Sequence, residues 1–148
     1  MGLETSAVQR RAGGIDPRGP RFAAALTSVA LALALVTGSI WVLAFQVVVF
    51  AVGAGWGVSA SPYAWVYRRA VRPRLAAPSE LEDPAPPRFA QGVGLLVSGV
   101  GLVLAAAGLP AAVEVAAAIA LVPALLNAGF GICLGCLMYL QLVRLRAS

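Results

Sequence analysis

Two long tracts of the chain carry almost no charge, and this feature limits the possible folds more than any other. Residues 22–58 contain no charged side chain, and residues 89–143 contain only one, Glu114. Because a helix rises about 1.5 Å per residue and a membrane span needs about 20 apolar residues, each tract is long enough for two spans. Lipid is therefore the expected surrounding for most of the chain.

The composition favours a membrane protein and excludes several kinds of enzyme. Of the 148 residues, 60% are hydrophobic and 11% are charged, whereas an ordinary soluble domain has about 45–50% and about 25%. The chain contains no histidine, which is the commonest metal ligand and the usual general base. Most hydrolase and metalloenzyme functions are therefore excluded, and we expect neither a metal nor a cofactor.

Turn-forming residues divide each tract into a hairpin. Gly38 and Ser39 interrupt the first tract, and Gly108 and Pro110 interrupt the second. The sequence therefore predicts an all-α membrane protein with four transmembrane helices in two duplicated hairpins, and with short interfacial helices after the second and fourth spans. We expect the first span to remain uncleaved, because it is long for a secretory signal and another span follows at once. The predicted spans are residues 22–38, 40–58, 89–109 and 112–134.

The arginines predict the orientation of the spans. All 11 basic residues are arginines, and they lie before the first span, between the second and third spans, and after the fourth. Four spans bring these segments to one side of the bilayer, and the positive-inside rule assigns that side to the cytoplasm. We therefore expect a multi-pass plasma-membrane protein with both termini in the cytoplasm. Its basic rim favours contact with lipid headgroups and not with nucleic acid, and the protein could also form a homodimer.

A repeated octet stands at the entry to each hairpin. Residues 16–23 and 83–90 share six of eight residues, in the pattern Asp-Pro-x-x-Pro-Arg-Phe-Ala, at a constant offset of 67. Because each hairpin has an even number of spans, both copies enter the membrane from the same side, as a parallel repeat. The sequence thus predicts a flexible N-terminus at 1–15 and a single membrane domain at 16–146, with hairpin repeats at 16–74 and 83–146 and a linker at 75–82.

The charged residues of the octet have two interpretations. They could simply mark the entry of each helix into the membrane, where arginine reaches the phosphates and aspartate caps a turn. Alternatively, Asp16 could pair with Arg88 and Asp83 with Arg21, so that the four side chains line a cytoplasmic vestibule. These four residues are therefore candidates for a pocket or an interface.

Cys133 and Cys136 are the only cysteines and the candidate catalytic residues. In a Cys-x-x-Cys pair, one thiol can attack a substrate and the second can resolve the intermediate. Two ligands alone do not make a zinc site. If the helix breaks near Gly131, Cys133 starts a new helix and the helix dipole lowers the pKa of its thiol. If the helix continues, both thiols lie in apolar surroundings and serve as inert packing residues.

Two uncharged polar residues lie well inside predicted spans. Gln46 is in the second span and Asn127 is in the fourth. A buried amide in lipid usually hydrogen bonds to a neighbouring helix, which is a structural role. The functional alternative is that both side chains line a polar pocket beside the thiols.

The duplicated Asp-Pro-x-x-Pro-Arg-Phe motif and the Cys-x-x-Cys near the end of the fourth span point to a family. With them, the chain resembles an actinobacterial four-span integral-membrane family that is catalogued as a domain of unknown function, over residues 15–146. The resemblance implies a bacterial inner-membrane protein, and the neighbouring genes of such proteins imply a thioredoxin-like or thiosulfate sulfurtransferase partner. The chain is more loosely similar to four-helix quinone-linked thiol oxidoreductases. It lacks their second cysteine pair, and its thiols lie on the predicted cytoplasmic side.

Three functions are compatible with these features. In the first, Cys133 attacks and Cys136 resolves, so that a cytoplasm-facing dithiol exchanges electrons or sulfane sulfur with a soluble thioredoxin-like or sulfurtransferase partner. In the second, the protein is a small transporter or scaffold for a sulfur-containing anion, and the cysteines are structural. A quinone-linked enzyme is the third, and the sequence does not decide whether the protein is an enzyme.

Overall fold

The structure is a computed structural model that describes residues 14–147, and most of these residues are helical. A short helix, α3 (Pro62–Val66), continues into a π-helical turn at Tyr67–Val71 and a 3-10 turn at Arg72–Arg74. Most of the predicted flexible N-terminus, residues 1–13, lies outside the described residues. The helices are α1 (Arg18–Thr37), α2 (Ile40–Trp56), α3 (Pro62–Val66), α4 (Ala85–Ala106), α5 (Ala111–Phe130) and α6 (Leu134–Ala147).

The helix lengths confirm the all-α class but not the number of spans. Helices α1, α4 and α5 have 20, 22 and 20 residues and are long and apolar enough to cross a membrane. The structure shows three such helices and not the predicted four, because α2 is apolar but has only 17 residues. This helix ends at Trp56 instead of residue 58, since Gly57 takes a positive φ of 102° and turns the chain away.

The aspartates of the octets set where the first helix of each hairpin begins. The Oδ1 atom of Asp16 accepts the backbone N–H of Arg18 at 3.0 Å, and the Oδ1 atom of Asp83 accepts that of Ala85 at 2.9 Å. A side-chain acceptor for a free N–H is what starts a helix. Helices α1 and α4 therefore begin four residues before the predicted spans at 22 and 89.

The two hairpins pack mainly against each other. Helix α1 lies along α5, and α2 lies along α4, so each helix has its most extensive contact in the other hairpin. The approach of α2 to α4 depends on glycine, because a Cβ atom at Gly94 would lie 2.7 Å from the ring of Phe50. The core is formed by Leu31, Ala34, Leu43, Phe50, Val113, Ala117 and Ala120.

Segments outside the long helices hold the two hairpin entries together. Ile15 and Glu82 form an isolated antiparallel bridge, the one strand-like pairing in residues 14–147.

Each octet phenylalanine also packs on a tyrosine beyond the second helix of its own hairpin. The ring centroids are 5.7 Å apart for Phe22 and Tyr67 and 5.8 Å apart for Phe89 and Tyr139. The short helices predicted after the second and fourth spans are therefore present and packed on the hairpin entries.

Candidate functional site: the Cys133–Cys136 pair and its cavity

The helix of the predicted fourth span is interrupted between α5 and α6, immediately before the cysteines. Helix α5 ends at Phe130, and Gly131 adopts a left-handed conformation with φ 69°. The N–H groups of Gly131 and Ile132 then donate to the carbonyl oxygens of Asn127 and Leu126, at 3.0 and 3.3 Å. These bonds satisfy carbonyls that a helix end would leave free. Of the two alternatives for the fourth span, the break near Gly131 is the one observed.

The break places Cys133 at the residue before α6. Its sulfur accepts the backbone N–H of Cys136 at 3.2 Å, and its carbonyl oxygen accepts the N–H of Leu137 at 3.0 Å. This is the bonding pattern of a helix N-cap, with a sulfur in place of the usual oxygen. Both cysteines are partly exposed and form a disulfide with a Cα–Cα distance of 5.1 Å. Such a pair is accessible to a thiol, and the helix N-terminus favours the thiolate of Cys133 after reduction.

A close contact with α4 fixes the position of the disulfide. A Cβ atom on Gly135, between the two cysteines, would lie 2.6 Å from the Cα atom of Ala90. Only glycine allows α6 to approach so closely at this point. One turn further along α6, the ring of Tyr139 packs on Phe89. Phe89 and Ala90 of the second octet therefore position the segment that holds the disulfide.

The two octet arginines cap helix ends in the opposite hairpin. Arg21 donates from Nε to the carbonyl oxygen of Ala128 at 3.3 Å and from Nη2 to that of Gly129 at 3.2 Å. Arg88 donates in the same way to Ala54 and Gly55, at 2.7 and 2.6 Å. A cation at a helix C-terminus satisfies free carbonyls and opposes the helix dipole.

The predicted pairing of Asp16 with Arg88 and of Asp83 with Arg21 is therefore wrong. Helix-end carbonyls lie within reach of both guanidinium groups, so the arginines donate to backbone oxygens and not to the carboxylates. Asp83 accepts the N–H that starts α4, as described above. Asp16 takes part in a different ion pair within its own hairpin, with Arg18.

Asp16 is the centre of a polar cluster at the entry of the first hairpin. Arg18 donates to its carboxylate at 2.9 Å, Tyr67 donates its hydroxyl at 2.8 Å, and Arg72 lies 3.6 Å away. Burial alone would raise the pKa of Asp16, but the hydrogen bonds from Arg18 and Tyr67 outweigh it and lower that pKa to about 2. Asp16 therefore joins the start of α1 to the π-helical turn, and it does not line the cavity described next.

A cavity of about 690 Å³ opens beside the disulfide. Its walls come mostly from α1, α4, α5 and α6, with Phe50 of α2 and Tyr63 of α3. They are mainly apolar, and both cysteines line the cavity. Of the predicted pocket residues, Asn127 and Arg21 line this cavity, whereas Gln46, Arg88, Asp16 and Asp83 do not. The sequence analysis missed Thr27, Gln91 and Tyr63, which also line it. Their polar side chains beside apolar tracts were the available signal.

Gln46 lies behind the cavity wall instead of on it. Its side chain is fully buried, and its Oε1 atom accepts the Tyr63 hydroxyl at 2.7 Å. Burial raises the pKa of Tyr63 to about 12, so this hydroxyl remains a donor. The Nε2 atom of Gln46 and the Oγ atom of Ser98 have no hydrogen-bond partner in the described part of the chain. Gln46 therefore supports Tyr63 from behind, which is close to the structural role considered above.

The side chains at this site do not form a set of ligands for a metal ion. Within residues 14–147, no group of three Cys, Asp or Glu side chains is placed to hold an ion. The chemistry that the arrangement does offer is thiol–disulfide exchange at two adjacent sulfurs, one of them at a helix start.

Comparison with known proteins identifies a family but not an activity. A search of the curated proteins finds no match, and a search of the solved structures finds none. The family model for the domain of unknown function DUF4395 matches residues 15–144, which include both octets and both cysteines. The chain therefore belongs to the DUF4395 family.

Proposed function

We propose that Cys133 and Cys136 form a cytoplasm-facing dithiol that exchanges electrons or sulfane sulfur with a soluble thioredoxin-like or sulfurtransferase partner. One arrangement carries this proposal: the disulfide is partly exposed, and Cys133 occupies the N-cap of α6 in the wall of a cavity. A purely structural disulfide has no need of a helix break that places a sulfur against free N–H groups. A reactive pair does, because these groups stabilise the thiolate.

We include in this proposal that α2 crosses the membrane beside the three longer helices. It carries no charge, and 17 residues span about 25 Å, at the lower limit for a crossing helix. Trp41 and Trp56 lie near its two ends and are 81% and 78% exposed. Exposed tryptophans at both ends of a helix are typical of the two membrane interfaces.

Four crossings bring the cysteines and the arginine-rich segments to the same side. The arginines from Arg18 to Arg88 then lie on the cytoplasmic face of a bacterial inner membrane by the positive-inside rule. A soluble cytoplasmic protein can therefore reach the disulfide. The same face is the reducing side of the membrane, which suits a cycling pair more than a permanent disulfide.

The electron-exchange cycle needs only the two sulfurs and a partner. The thiolate of Cys133 attacks the partner's disulfide and forms a mixed disulfide, and one partner thiolate leaves. Cys136 loses its proton and attacks the Cys133 sulfur, which forms the Cys133–Cys136 disulfide and releases the second partner thiolate. Two electrons pass to the partner in this direction, and the reverse sequence returns them.

Transfer of sulfane sulfur follows the same order of attack. The thiolate of Cys133 takes the terminal sulfur of a partner persulfide, which becomes a thiolate, and Cys133 carries the new persulfide. Attack by Cys136 on the Cys133 sulfur then forms the disulfide and releases hydrosulfide. No metal or cofactor takes part in either sequence.

Labelling in oriented vesicles tests both topology and reactivity. Right-side-out and inverted vesicles are treated with a membrane-impermeant mass-tag maleimide, before and after mild reduction, across a pH series. We expect labelling only after reduction, only in inverted vesicles, and already below pH 7. Thiols that react only after detergent denaturation would contradict the proposal.

Exchange assays with single substitutions test the chemistry. Purified protein is incubated with reduced thioredoxin, or with a sulfurtransferase loaded from thiosulfate, and the redox state of the cysteines is followed by mass. Cys133→Ser and Cys136→Ser should each abolish turnover. Ser59→Ala should leave it unchanged, since Ser59 stands two residues after the positive-φ Gly57 just as Cys133 stands two residues after Gly131. Undiminished exchange by both serine variants would rule the proposal out.

The cavity favours transport or scaffolding of a sulfur-containing anion as a second candidate. Arg18 and Arg21 line it and supply positive charge, but its walls are mainly apolar and also include Glu82, and no other cation is among the lining residues. Anion uptake by vesicles that survives the double Cys→Ser replacement would favour this second function over the dithiol.

A further inference from the structure

Arg21 binds two of the carbonyl oxygens at the end of α5, at the break before Cys133. The carbonyls of Leu126 and Asn127 accept backbone N–H groups, whereas those of Ala128 and Gly129 accept the Arg21 guanidinium. The end of α5 is thus held by a side chain that belongs to the first hairpin. Three residues separate Gly129 from Cys133 along the chain.

We propose that Arg21 is a positioning residue for the dithiol, holding the α5 end so that Cys133 stays at the N-cap of α6. This inference rests on the proposed function, because it assigns a reason for the geometry of that same pair. If the Arg21 hydrogen bonds to Ala128 and Gly129 are lost, the last turn of α5 and the residues up to Cys133 are free to move. The Cys133 sulfur then loses its hydrogen bond from the Cys136 N–H, and the thiolate loses its stabilisation.

The chain contains its own control for this inference. Arg88 makes the matching bonds to Ala54 and Gly55 at the end of α2, at similar or shorter distances. The segment that follows α2 contains no cysteine, although Val58, Ser61 and Tyr63 in it also line the cavity. Arg21→Gln and Arg88→Gln therefore remove equivalent contacts, but only Arg21→Gln acts on the dithiol.

Few other charges lie near the pair. Arg18 and Glu82 line the same cavity as the cysteines, and Arg18 is already paired with Asp16. From α6 itself, Arg144 and Arg146 lie in its last turn. The segment of α4 that α6 packs on presents Phe89 and Ala90, which carry no charge. Arg21 is thus the charged side chain bound to the α5 end.

Two measurements on the full chain in lipid nanodiscs separate positioning from other effects. The Cys136→Ser background leaves Cys133 as the single thiol, and the pH midpoint of its alkylation by iodoacetamide reports its thiolate. Hydrogen exchange of the peptide covering residues 133–137 reports the N-cap bond, and it needs no partner and no activity. Both are compared among the parent, Arg21→Gln and Arg88→Gln.

We expect Arg21→Gln to raise the alkylation midpoint by about one pH unit or more and to speed amide exchange at the start of α6. Arg88→Gln should change neither. Three results would overturn the inference: no change in Arg21→Gln, equal changes in both variants, or a raised midpoint with unchanged exchange, which would mean that Arg21 acts by charge alone. If wild-type protein exchanges with no partner while Arg21→Gln behaves as expected, the proposed function fails and the positioning role stands.

Discussion

The backbones of Ile15 and Glu82 pair antiparallel, and each N–H donates to the carbonyl oxygen of the other residue, at 2.9 and 2.8 Å. The two residues are 67 positions apart, which is the offset between the two octets. When a residue pairs with its own counterpart, the two contacts are equivalent, as at an isologous interface on a two-fold axis. The same relation explains why Arg21 and Arg88 each reach a helix end in the opposite hairpin.

This bridge predicts a specific cross-link. In an antiparallel pair that exchanges both hydrogen bonds, the Cα atoms lie about 5.5 Å apart, within the range of a disulfide. Ile15→Cys with Glu82→Cys, in a chain whose native cysteines are replaced by serine, should therefore oxidise readily. Mass spectrometry after maleimide treatment would show the loss of both adducts.

A second pair serves as the control for the cross-link. Ile15→Cys with Ser79→Cys places the second thiol three residues before residue 82 in the same linker. It should remain alkylated under the same oxidant. Equal oxidation of both pairs would show that the linker does not hold the register seen in the structure.

Gly135→Ala should displace the helix that carries the disulfide. The added Cβ atom would meet the backbone of Ala90, which cannot move aside as a flexible side chain could. Overpacking of this kind costs about 1–3 kcal/mol, measured as a loss of unfolding free energy in detergent. The variant should also oxidise thioredoxin more slowly, because α6 moves with its sulfurs.

Gly129→Ala is the matched control for Gly135→Ala. A Cβ atom there meets nothing within 4 Å, and the residue lies inside α5. Alanine in a helix is favoured over glycine by about 0.5–1 kcal/mol, so this variant should be neutral or slightly more stable. A loss of stability as large as that of Gly135→Ala would contradict the assigned contact.

Asp16 should contribute to the free energy of unfolding at neutral pH, and this contribution should be lost in acid. Its pKa is about 2 in the folded protein, compared with an ordinary 3.8. Because the folded value is the lower one, the contribution is complete above about pH 4 and is lost as the pH falls through about 2. Asp16→Asn removes it at neutral pH, where a lost hydrogen bond to a charged group costs about 1.5–3 kcal/mol.

The measurement is the difference in unfolding free energy between wild type and Asp16→Asn from pH 6 to pH 2. This difference should shrink as the pH falls through the range from about 4 to about 2. Asp83→Asn occupies the equivalent place, but the Asp83 side chain accepts only one backbone N–H, which the amide oxygen of asparagine can still accept, so its cost at neutral pH should be smaller. A constant difference across the pH range would show that the carboxylate makes no charge-dependent contribution.

The sequence predicted the helical hairpins because long uncharged tracts and turn glycines have few other solutions. It also predicted the break near Gly131 as one of two alternatives, since glycines weaken a helix wherever it lies. The length of α2 could not be predicted in the same way. Its end depends on the positive φ of Gly57, and other glycines in the tract, such as Gly55, continue the helix.

The partners of the polar residues were harder to predict than the helices. Arg21 contacts Ala128 and Gly129, more than 100 positions away, and nothing in the local sequence shows which helix end lies beside it. Opposite charges suggested the carboxylates, but free carbonyls at a helix end compete for the same guanidinium. Gln46 was expected on a cavity wall, and it is instead buried behind Tyr63, whose hydroxyl donates to the Oε1 atom of Gln46.

The Gln46–Tyr63 hydrogen bond should show strong coupling between its two partners. Tyr63→Phe leaves the fully buried Gln46 without any hydrogen-bond partner in the described part of the chain, which costs about 1–3 kcal/mol of unfolding free energy. In a Gln46→Leu background the same change removes a hydroxyl that has already lost its acceptor, so it should cost less than about 0.5 kcal/mol. Tyr139→Phe, which keeps its ring contact with Phe89, is the control for loss of a hydroxyl. Additive costs in the double-mutant cycle would mean that the hydrogen bond between Gln46 and Tyr63 does not stabilise the fold. The buried amide of Gln46 would then need another hydrogen-bond partner.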